Sequence, residues 1–403
     1  MSKTVAIIGS LDTKGEEFAF VKEIIEKQGL NTFVFDVGVR GDPAFKPDVT
    51  AEEVAAAAGT DLAALREKND RGVALDAMAA GIAIVAKKYF DLGKFDGIMS
   101  MGGGGGTGVG SAAMRELPVG VPKLMVSTVA SADTSPYVGT SDIMMMPSIV
   151  DVAGLNSISQ VIFTNAANAI AGMVKNLSDK NTKAAKPLIA ASMFGNTTKC
   201  VNHAREILES KGYEVLVFHC TGTGGKTMEM LINNGYFKGV LDVTTTEWAD
   251  EVCGGVLSAT EHRLEAAVAQ GVPQIVTPAC IDMCNFWGEE SIPEKYKKDR
   301  LFFHWNPNVT LMRTNIEENK KMGEIFAEKL NKATAPVKVL IPMKGFSEID
   351  APGEIFWWPE ANQAFIDAFQ ANIRKDIEVI FMDNNVNDPE FSTRCAEELL
   401  GLL

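Results

Sequence analysis

The chain has 403 residues, of which 46% are hydrophobic and 22% are charged, so a disordered or fibrous protein is excluded. Domains commonly hold about 100–200 residues, and this length therefore predicts two of them. The net charge of −14 would repel phosphate backbones and anionic lipid surfaces, which disfavours nucleic acid and membranes as partners but leaves small anionic ligands open.

Strands and helices alternate along the chain, which predicts an α/β fold of two Rossmann-like doubly wound lobes with mostly parallel sheets. Short apolar runs predict the strands, and apolar residues at helical spacing predict the helices. In the first half, the predicted strands are residues 4–9, 32–37, 96–101, 123–129 and 143–146. The predicted helices are residues 16–28, 51–58, 74–90 and 158–177.

The second half of the chain repeats the order of the first. Residues 178–187 are polar, which predicts a linker between an N-terminal lobe at 1–180 and a C-terminal lobe at 187–403. After the linker, residues 188–199 mirror residues 4–14, residues 237–241 mirror 95–99, and residues 271–273 mirror 120–122. Ligands of doubly wound sheets bind beyond the carboxyl ends of the strands, so we expect a site in a cleft between the lobes.

Five consecutive glycines follow the predicted strand at 96–101. Between a strand and a helix, glycines let successive N–H groups turn toward a phosphate or carboxylate at the helix N-terminus. We therefore predict an anion-binding loop, with a tight strand-to-helix turn as the alternative; no Gly-Lys-Ser/Thr follows, so the loop is not a Walker A motif. The predicted loop consists of Gly102, Gly103, Gly104, Gly105, Gly106 and Thr107.

An earlier strand-to-helix junction holds Asp12, Thr13 and Lys14. Lys14 could neutralise a phosphate, Thr13 could contact an oxygen, and Asp12 could bind a ribose or Mg²⁺. The alternative is plain helix capping by Asp12 or Thr13. A further loop, residues 127–139, is rich in Ser and Thr and contains Asp133, which suits a ligand pocket, although ordinary loops have a similar composition.

Polar side chains also cluster after the strands of the second half. A carboxylate with a histidine and an arginine could support acid–base chemistry on a carbonyl or phosphoryl substrate, while each histidine could equally be structural. The candidate catalytic residues are Glu247, Arg263, Asp282, His304 and Arg313. Cys280 and Cys284 could suggest a zinc site, but no second close-spaced ligand pair accompanies them.

The start of the chain runs directly into an apolar strand, with no pattern that predicts a secretory signal. The least polar long stretch, residues 149–174, contains five Asp, Asn or Gln residues and therefore reads as a buried helix, not a membrane span. The six cysteines include no CxxC pair, which is typical of reduced thiols. We expect a cytoplasmic protein.

These blocks together resemble the Tm-one-like ATP-binding family, which takes in the N-terminal region of the tomato mosaic virus resistance protein and its bacterial and fungal relatives. The resemblance covers essentially the whole chain. It rests on Gly9-Ser10-Leu11-Asp12-Thr13-Lys14, the glycine run, Ser127-Thr128-Val129-Ala130-Ser131, Tyr137-Val138-Gly139, residues 144–156 and Met312-Arg313-Thr314. One departure is Trp287 with Glu289-Glu290, where a shorter glycine turn is expected.

The resemblance implies two Rossmann-like lobes, ATP with Mg²⁺ in the first lobe, and a homodimer. Its nucleotide-contacting blocks correspond to the Asp12 junction, the glycine loop and the segment holding Thr128, Ser131 and Asp133; Asp12 and Asp133 are the candidate magnesium ligands. We hypothesise an ATP-binding protein. The alternatives are a metabolic enzyme that acts on a small organic acid or sugar-derived substrate, with ATP as substrate or effector, and a sensor that closes on a small ligand without turnover.

Overall fold

The computed structural model describes residues 2–177 and 186–403. The chain divides into two compact units, Met1–Asn181 and Thr182–Leu403. The predicted linker, residues 178–187, lies outside the described residues except at its last two positions. Among the described residues, no helix combines the length and the apolar character needed to cross a membrane.

The N-terminal unit is built on a sheet of five parallel strands in the order β2-β1-β3-β4-β5. The strands are β1 Thr4–Gly9, β2 Asn31–Asp36, β3 Gly97–Gly102, β4 Lys123–Ser127 and β5 Met144–Pro147. The helices are α1 Leu11–Lys27, α2 Ala51–Ala57, α3 Leu62–Lys68, α4 Arg71–Asp91, α5 Gly104–Arg115, α6 Ser135–Val138 and α7 Ser157–Lys175.

Both faces of this sheet are covered by helices, which explains the continuous apolar run of β1. Ala6 and Ile8 pack in a core with α2, α4 and α5, whereas Val5 and Ile7 pack in a second core with α1 and α7. A parallel strand buried on both faces needs apolar residues at successive positions, and all four of these side chains are fully buried.

The C-terminal unit carries a six-stranded parallel sheet in the order β14-β13-β9-β8-β6-β7 and a three-stranded antiparallel sheet in the order β10-β12-β11. The strands are β6 Leu188–Met193, β7 Glu214–His219, β8 Phe237–Thr244, β9 Gln274–Ala279, β10 Met283–Phe286, β11 Phe302–Asn306, β12 Val309–Arg313, β13 Val337–Pro342 and β14 Glu378–Met382. The helices are α8 Thr198–Ser210, α9 Thr223–Asn233, α10 Glu247–Cys253, α11 Ala266–Gln270, α12 Ile316–Leu330, α13 Pro359–Asn372 and α14 Pro389–Leu402.

The predicted fold class is confirmed: both units are doubly wound α/β structures with parallel main sheets. The first three strands of each main sheet have the same spatial order, with the first strand of the unit between its second and third. The antiparallel sheet, inserted between β9 and β13, was not predicted from the sequence, and neither was the short helix α3.

Local signals explain where the helices next to the candidate site begin. The carboxylate of Asp70 accepts a hydrogen bond from the N–H of Val73 at 3.1 Å and caps α4. The helix therefore begins at Arg71, three residues before the predicted start, and this places an arginine in its first turn. In α1, Lys14 has non-helical backbone angles, so the first turn is separated from the rest of the helix by a kink.

Candidate functional site in the N-terminal unit

A cavity of about 880 Å³ lies in the N-terminal unit at the carboxyl ends of β1 and β3. The strand order reverses between these two strands, which is where doubly wound sheets bind their ligands. The cavity brings together seven of the residues predicted to bind a cofactor: Asp12, Thr13, Lys14, Gly102, Gly103, Gly105 and Gly106. Gly104 and Thr107 belong to the same loop and helix but are not among the lining residues.

The glycine loop forms the first turn of α5, with Gly103 at the N-cap. The first helical hydrogen bond runs from the N–H of Thr107 to the Gly103 carbonyl at 2.8 Å, so the N–H groups of residues 104–106 have no intrahelical acceptor. The turn also requires glycine sterically, because a Cβ on Gly102 would lie 2.9 Å from the Cα of Gly106. Open N–H groups at a helix N-terminus favour an anion.

Three arginines and a lysine line the same cavity. Within the described ranges, the guanidinium groups of Arg40 and Arg71 have neither an ion-pair nor a hydrogen-bond partner, and a Cβ on Gly105 would lie 3.7 Å from an Arg71 nitrogen. Arg66 instead donates to the carbonyls of Val39 and Gly41 at 2.8 and 2.7 Å and so holds the loop after β2. The Lys14 ammonium donates to a backbone carbonyl. Arg71 therefore places a positive charge next to the glycine loop, in a lining that also includes the carboxylates of Asp12, Asp70 and Asp151.

Arg40, Arg66 and Arg71 line the cavity but were not predicted as site residues from the sequence. They stand in the connection after β2, in α3 and in the first turn of α4, where no motif marks them. The available signal was the N-cap Asp70, which predicts that the next residue begins a helix. That signal alone does not place the helix start beside the glycine loop.

Asp12 lies at the cavity edge with one carboxylate oxygen satisfied and one not. Its Oδ2 accepts hydrogen bonds from the N–H groups of Arg40 at 2.6 Å and Gly41 at 3.1 Å. Its Oδ1 is buried and has no hydrogen-bond partner among the described residues. Across residues 2–177 and 186–403, no group of three or more His, Cys, Asp or Glu side chains is placed to hold a metal ion. Asp12 could thus supply at most one ligand to a cation bound mainly by other groups.

One wall of the large cavity is apolar. This wall is formed by Val37, Val39, Leu65, Leu75 and Met78. A cavity with a few cationic and backbone donors at one place and aliphatic side chains at another fits a ligand that has a charged end and a flat, weakly polar end.

A second, smaller cavity of about 500 Å³ lies at the carboxyl ends of β4 and β5. It contains Thr128 and Ser131, two further predicted site residues, together with Ser127, Ser148 and Asp151. Asp151 also lines the large cavity, and the Thr128 hydroxyl lies 3.6 Å from the position of a Cβ on Gly103, so the two cavities adjoin. Asp133 lines neither cavity; its exposed carboxylate accepts from Ser135.

In the C-terminal unit, Glu247 and Arg263 are brought together, but in a buried network. The Arg263 guanidinium pairs with both oxygens of Asp242 at 2.5 and 2.6 Å, with Glu247 at 2.9 Å and with Glu229 at 3.2 Å. Arg263 and Glu247 are each 1% exposed. Burial raises the pKa of Glu247, whereas Arg263 opposes that rise. The fully occupied guanidinium has the geometry of a structural centre.

Asp282 and Arg313 form a second buried cluster with Asp350. Arg313 donates to the Phe356 carbonyl at 2.7 Å and contacts Asp350 at 3.4 Å, and Asp282 accepts from the Ser347 hydroxyl at 2.8 Å. Burial, followed by the negative charge of Asp350, raises the pKa of Asp282 to about 7. The Oδ1 atom of Asp282 is buried without a hydrogen-bond partner in the described chain.

His304 belongs to neither cluster. It lies on β11 with a largely exposed ring that contacts the Thr310 hydroxyl at 3.3 Å and Glu289 at 3.4 Å. Cys280 and Cys284 are buried free thiols, and the described residues form no metal-binding group around them. A catalytic role for any of the five candidates stays a prediction.

Comparison with known proteins identifies relatives along the whole chain. Residues 3–179 match the model of the N-terminal domain of an uncharacterised protein family, UPF0261, and residues 186–403 match the model of its C-terminal domain. A UPF0261 protein of Clostridium tetani is 50% identical and aligns over 100% of both chains. Another from Rhizobium meliloti is 43% identical over 97% of this chain and 96% of that protein.

The predicted relation to the tomato protein is confirmed. The tomato mosaic virus (ToMV) resistance protein Tm-1(GCR237) of Solanum lycopersicum is 36% identical over 100% of this chain and 56% of that protein. Among solved structures, a putative UDP-N-acetylglucosamine 2-epimerase of Listeria monocytogenes aligns with a TM-score of 0.24 at 13% identity, over 68% of this chain and 79% of that one. So low a TM-score supports no inference about activity.

Proposed function

This chain belongs to the UPF0261 family, and we propose that its N-terminal unit binds a nucleotide by its phosphates, with ATP and Mg²⁺ as the expected pair. One observation carries the proposal. The large cavity combines a glycine-built helix N-terminus with two arginines, Arg40 and Arg71, that have no partner among the described residues. Both arginines are exposed residues that line the cavity, and a guanidinium without a counter-charge can pair with two phosphate oxygens at once.

The phosphates would lie between the first turn of α5 and Arg71. There the N–H groups of residues 104–106 offer hydrogen bonds and the guanidinium offers charge, without any Walker A lysine. The base and ribose would lie against the aliphatic lining that includes Val37, Leu65 and Met78. The cavity volume of about 880 Å³ is within the range of pockets that enclose ligands of this size.

Magnesium fits this arrangement if the nucleotide supplies most of its ligands. Mg²⁺ commonly takes one or two protein carboxylates together with phosphate oxygens and water. Asp12 has the unpartnered oxygen for this role. Asp133 is not part of the large cavity, so Asp12 is the carboxylate that we assign. The homodimer and the cytoplasmic location stay predictions from the sequence.

The direct test is isothermal titration of the full chain with Mg-ATP, Mg-GTP and NAD. Gly105→Val would place a branched side chain between Leu75 and Arg71, and we expect it to weaken Mg-ATP binding by at least tenfold. Gly108→Val is the matched control, because Gly108 lies in the same helix outside the cavity lining, and a Cβ added there would meet no atom within 4 Å. Equal losses in the two variants would contradict the assignment.

Arginine variants test the charge. Arg71→Gln removes a charge-assisted hydrogen bond, commonly worth about 1.5–3 kcal/mol, so Mg-ATP affinity should fall by about 10- to 100-fold. Arg205→Gln, which alters an exposed arginine paired with Glu209 in the other unit, should leave the affinity unchanged. Wild-type affinity in Arg71→Gln would remove the phosphate site from this cavity.

An enzyme acting on a small organic acid or sugar-derived substrate is the second candidate. Asp282 favours it, because a buried carboxylate with an unpartnered oxygen and a pKa near 7 has the properties of a general base. If Asp282 has this role, Asp282→Asn abolishes turnover of a substrate found by metabolite screening and leaves Mg-ATP affinity intact. Full turnover in that variant would exclude Asp282 as the base.

A further inference from the structure

The smaller cavity, formed at the carboxyl ends of β4 and β5, has a chemistry unlike that of the large one. Its polar groups are hydroxyls and one carboxylate: Ser127, Thr128, Ser131, Ser148 and Asp151. Among the described residues, its lining includes no Lys, Arg or His. Hydroxyl groups can both donate and accept hydrogen bonds, which suits a ligand that also carries hydroxyls.

The charge of this cavity selects against acids. Asp151 is its one ionisable lining residue within the described ranges, and it stands where the two cavities adjoin. A carboxylate or phosphate bound here would face the Asp151 carboxylate, and the described lining offers no cation of its own; the Lys14 ammonium, which donates to the Val152 carbonyl, lines the large cavity instead. The arginines that would attract an anion line the large cavity instead.

Two of the four hydroxyls are already engaged, and two are free to meet a ligand. Ser127 shares a 2.6 Å hydrogen bond with Thr107 of the glycine helix, and the Ser148 hydroxyl donates to the Val150 carbonyl at 2.6 Å. Thr128 and Ser131 are exposed at the cavity, and neither side chain has a hydrogen-bond partner in the described ranges. These two residues are the ones that would recognise the ligand.

The rim of the smaller cavity holds a strained turn. The N–H of Val150 donates to the carbonyl of Ser148 at 2.7 Å, and Ile149 between them has a φ of 66°, a region that branched residues rarely adopt. The Ile149 side chain is 70% exposed, so burial of that side chain does not compensate the strain. The turn is held by the hydrogen bond from the N–H of Ser148 to the carbonyl of Ser127 at 3.0 Å. Strain of this kind is concentrated at functional sites.

We propose that the smaller cavity is a binding site for an uncharged, hydroxyl-rich small molecule of the polyol or sugar class. Its position beside the phosphate end of the nucleotide rests on the proposed function, because Thr128 adjoins Gly103 at the N-cap of the glycine helix. The class of the ligand rests on the smaller cavity alone. The chain would then hold two different ligands in its N-terminal unit, one anionic and one neutral.

The test uses matched pairs of probes with the full chain. Saturation-transfer NMR compares erythritol, xylitol and sorbitol with the aldonates erythronate, xylonate and gluconate, which differ from them by one carboxylate in place of an alcohol. We expect the polyols to bind and each aldonate to bind at least tenfold more weakly. Binding of the aldonates as tight as that of the polyols, or no polyol binding, would overturn the proposal.

Variants locate the site. Thr128→Val and Ser131→Ala each remove a hydroxyl and should weaken sorbitol binding about five- to tenfold, whereas Thr334→Val, at an exposed threonine of the other unit, should not. Asp151→Asn should strengthen gluconate binding relative to sorbitol. Unchanged sorbitol affinity in both hydroxyl variants would place the polyol elsewhere.

The two proposals fail separately. Gly105→Val should weaken Mg-ATP binding by at least tenfold and leave sorbitol affinity within about twofold of the wild type, because of the two cavities Gly105 lines only the large one. Sorbitol binding without Mg-ATP binding would leave the polyol site standing and remove the nucleotide. The reverse result would remove the polyol site and keep the nucleotide.

Discussion

The two units share a strand order and differ in what fills the edge where that order reverses. In the N-terminal unit, β1 and β3 end in Gly9 and Gly102 and are followed by Ser10 and by the rest of the glycine loop, and a cavity of about 880 Å³ lies there. In the C-terminal unit, the loops after the corresponding β6 and β8 carry side chains that are at most 1% exposed, namely Asn196, Thr197, Thr245, Thr246 and Glu247. The strand order provides the position of a site, and side-chain size decides whether that position stays open.

At the edge of the C-terminal unit, where the side chains after β6 and β8 are buried, removal of a charge should lower the free energy of unfolding more than at the open edge of the N-terminal unit. Arg263→Met leaves three carboxylates without their shared cation, and breaking a buried pair commonly costs about 3–5 kcal/mol. All five tryptophans lie in the C-terminal unit, so urea unfolding followed by tryptophan fluorescence reports that unit. Arg205→Met, which breaks an exposed pair in the same unit, is the control, and an equal unfolding midpoint in both variants would show that the buried Arg263 network adds no stability to this edge.

The same edge should also respond to pH through Asp250. Burial raises the pKa of this carboxyl to about 7, although the N–H groups of Leu257 and Asn285 stabilise its charged form. The folded chain therefore keeps a proton that the unfolded chain loses between about pH 4 and pH 7, so the free energy of unfolding falls as pH rises through that window and levels off above it.

Asp250→Asn should remove the part of this dependence that Asp250 contributes; the contribution of Asp282, whose pKa is also raised to about 7, stays the same in both proteins. Relative to the wild type, the variant should gain stability from pH 4 to pH 7, by at most about 4 kcal/mol for a shift of about three pK units. The measurement is the tryptophan-detected unfolding midpoint of both proteins at several pH values. A constant difference between them would show that Asp250 does not titrate in this range.

In the N-terminal unit, the helix that carries the glycine loop, α5, packs closely against strands β3 and β4. A Cβ on Gly110 in α5 would lie 2.5 Å from the Ser100 hydroxyl and 2.6 Å from a Met125 methyl, so Gly110→Ala should cost about 1–3 kcal/mol. Gly108→Ala, which meets nothing within 4 Å, should instead stabilise the same helix by roughly 0.5–1 kcal/mol. Hydrogen exchange of the α5 amides in the full chain would compare them, and the same sign for both would contradict the packing.

The smallest expected effect concerns the strained turn. Ile149→Asn replaces a branched residue by one that tolerates a positive φ, and should raise the free energy of unfolding by about 1 kcal/mol. Hydrogen exchange in β4 and β5 would detect this gain. A loss of stability would show that the exposed Ile149 side chain makes contacts that outweigh its backbone strain.

The sequence predicted the parts of the fold that depend on local pattern. The bounds of β1 agree with the prediction, and the glycine loop stands between a strand and a helix as expected. In the antiparallel sheet, β10 pairs with β12 across a gap of more than twenty residues, which no local pattern reports. The pairing of β11 with β12 is local, across a connection of two residues, and was also not predicted.

The sequence motifs of the candidate site could be predicted, but the arginines that line its cavity could not. Asp12 and the glycine loop could be located because they directly follow β1 and β3. Arg40 instead reaches the cavity through the loop after β2, and Arg71 reaches it through the placement of α4. In the C-terminal unit, the sequence could group Glu247 with Arg263 as polar residues. It could not reveal that Asp242 and Glu229 occupy the remaining guanidinium positions.

The Arg263 network also bears on how this sequence can diverge. Its four charged side chains come from α9, β8, the start of α10 and the loop before α11, and each carboxylate also accepts a further donor, from Ser192 or from backbone N–H groups. Replacing one of the four alone removes a partner from a buried ion pair and leaves the remaining charges of the network unbalanced. Relatives should therefore keep all four residues or replace them together. Substitutions at these four positions should be correlated among members of the family.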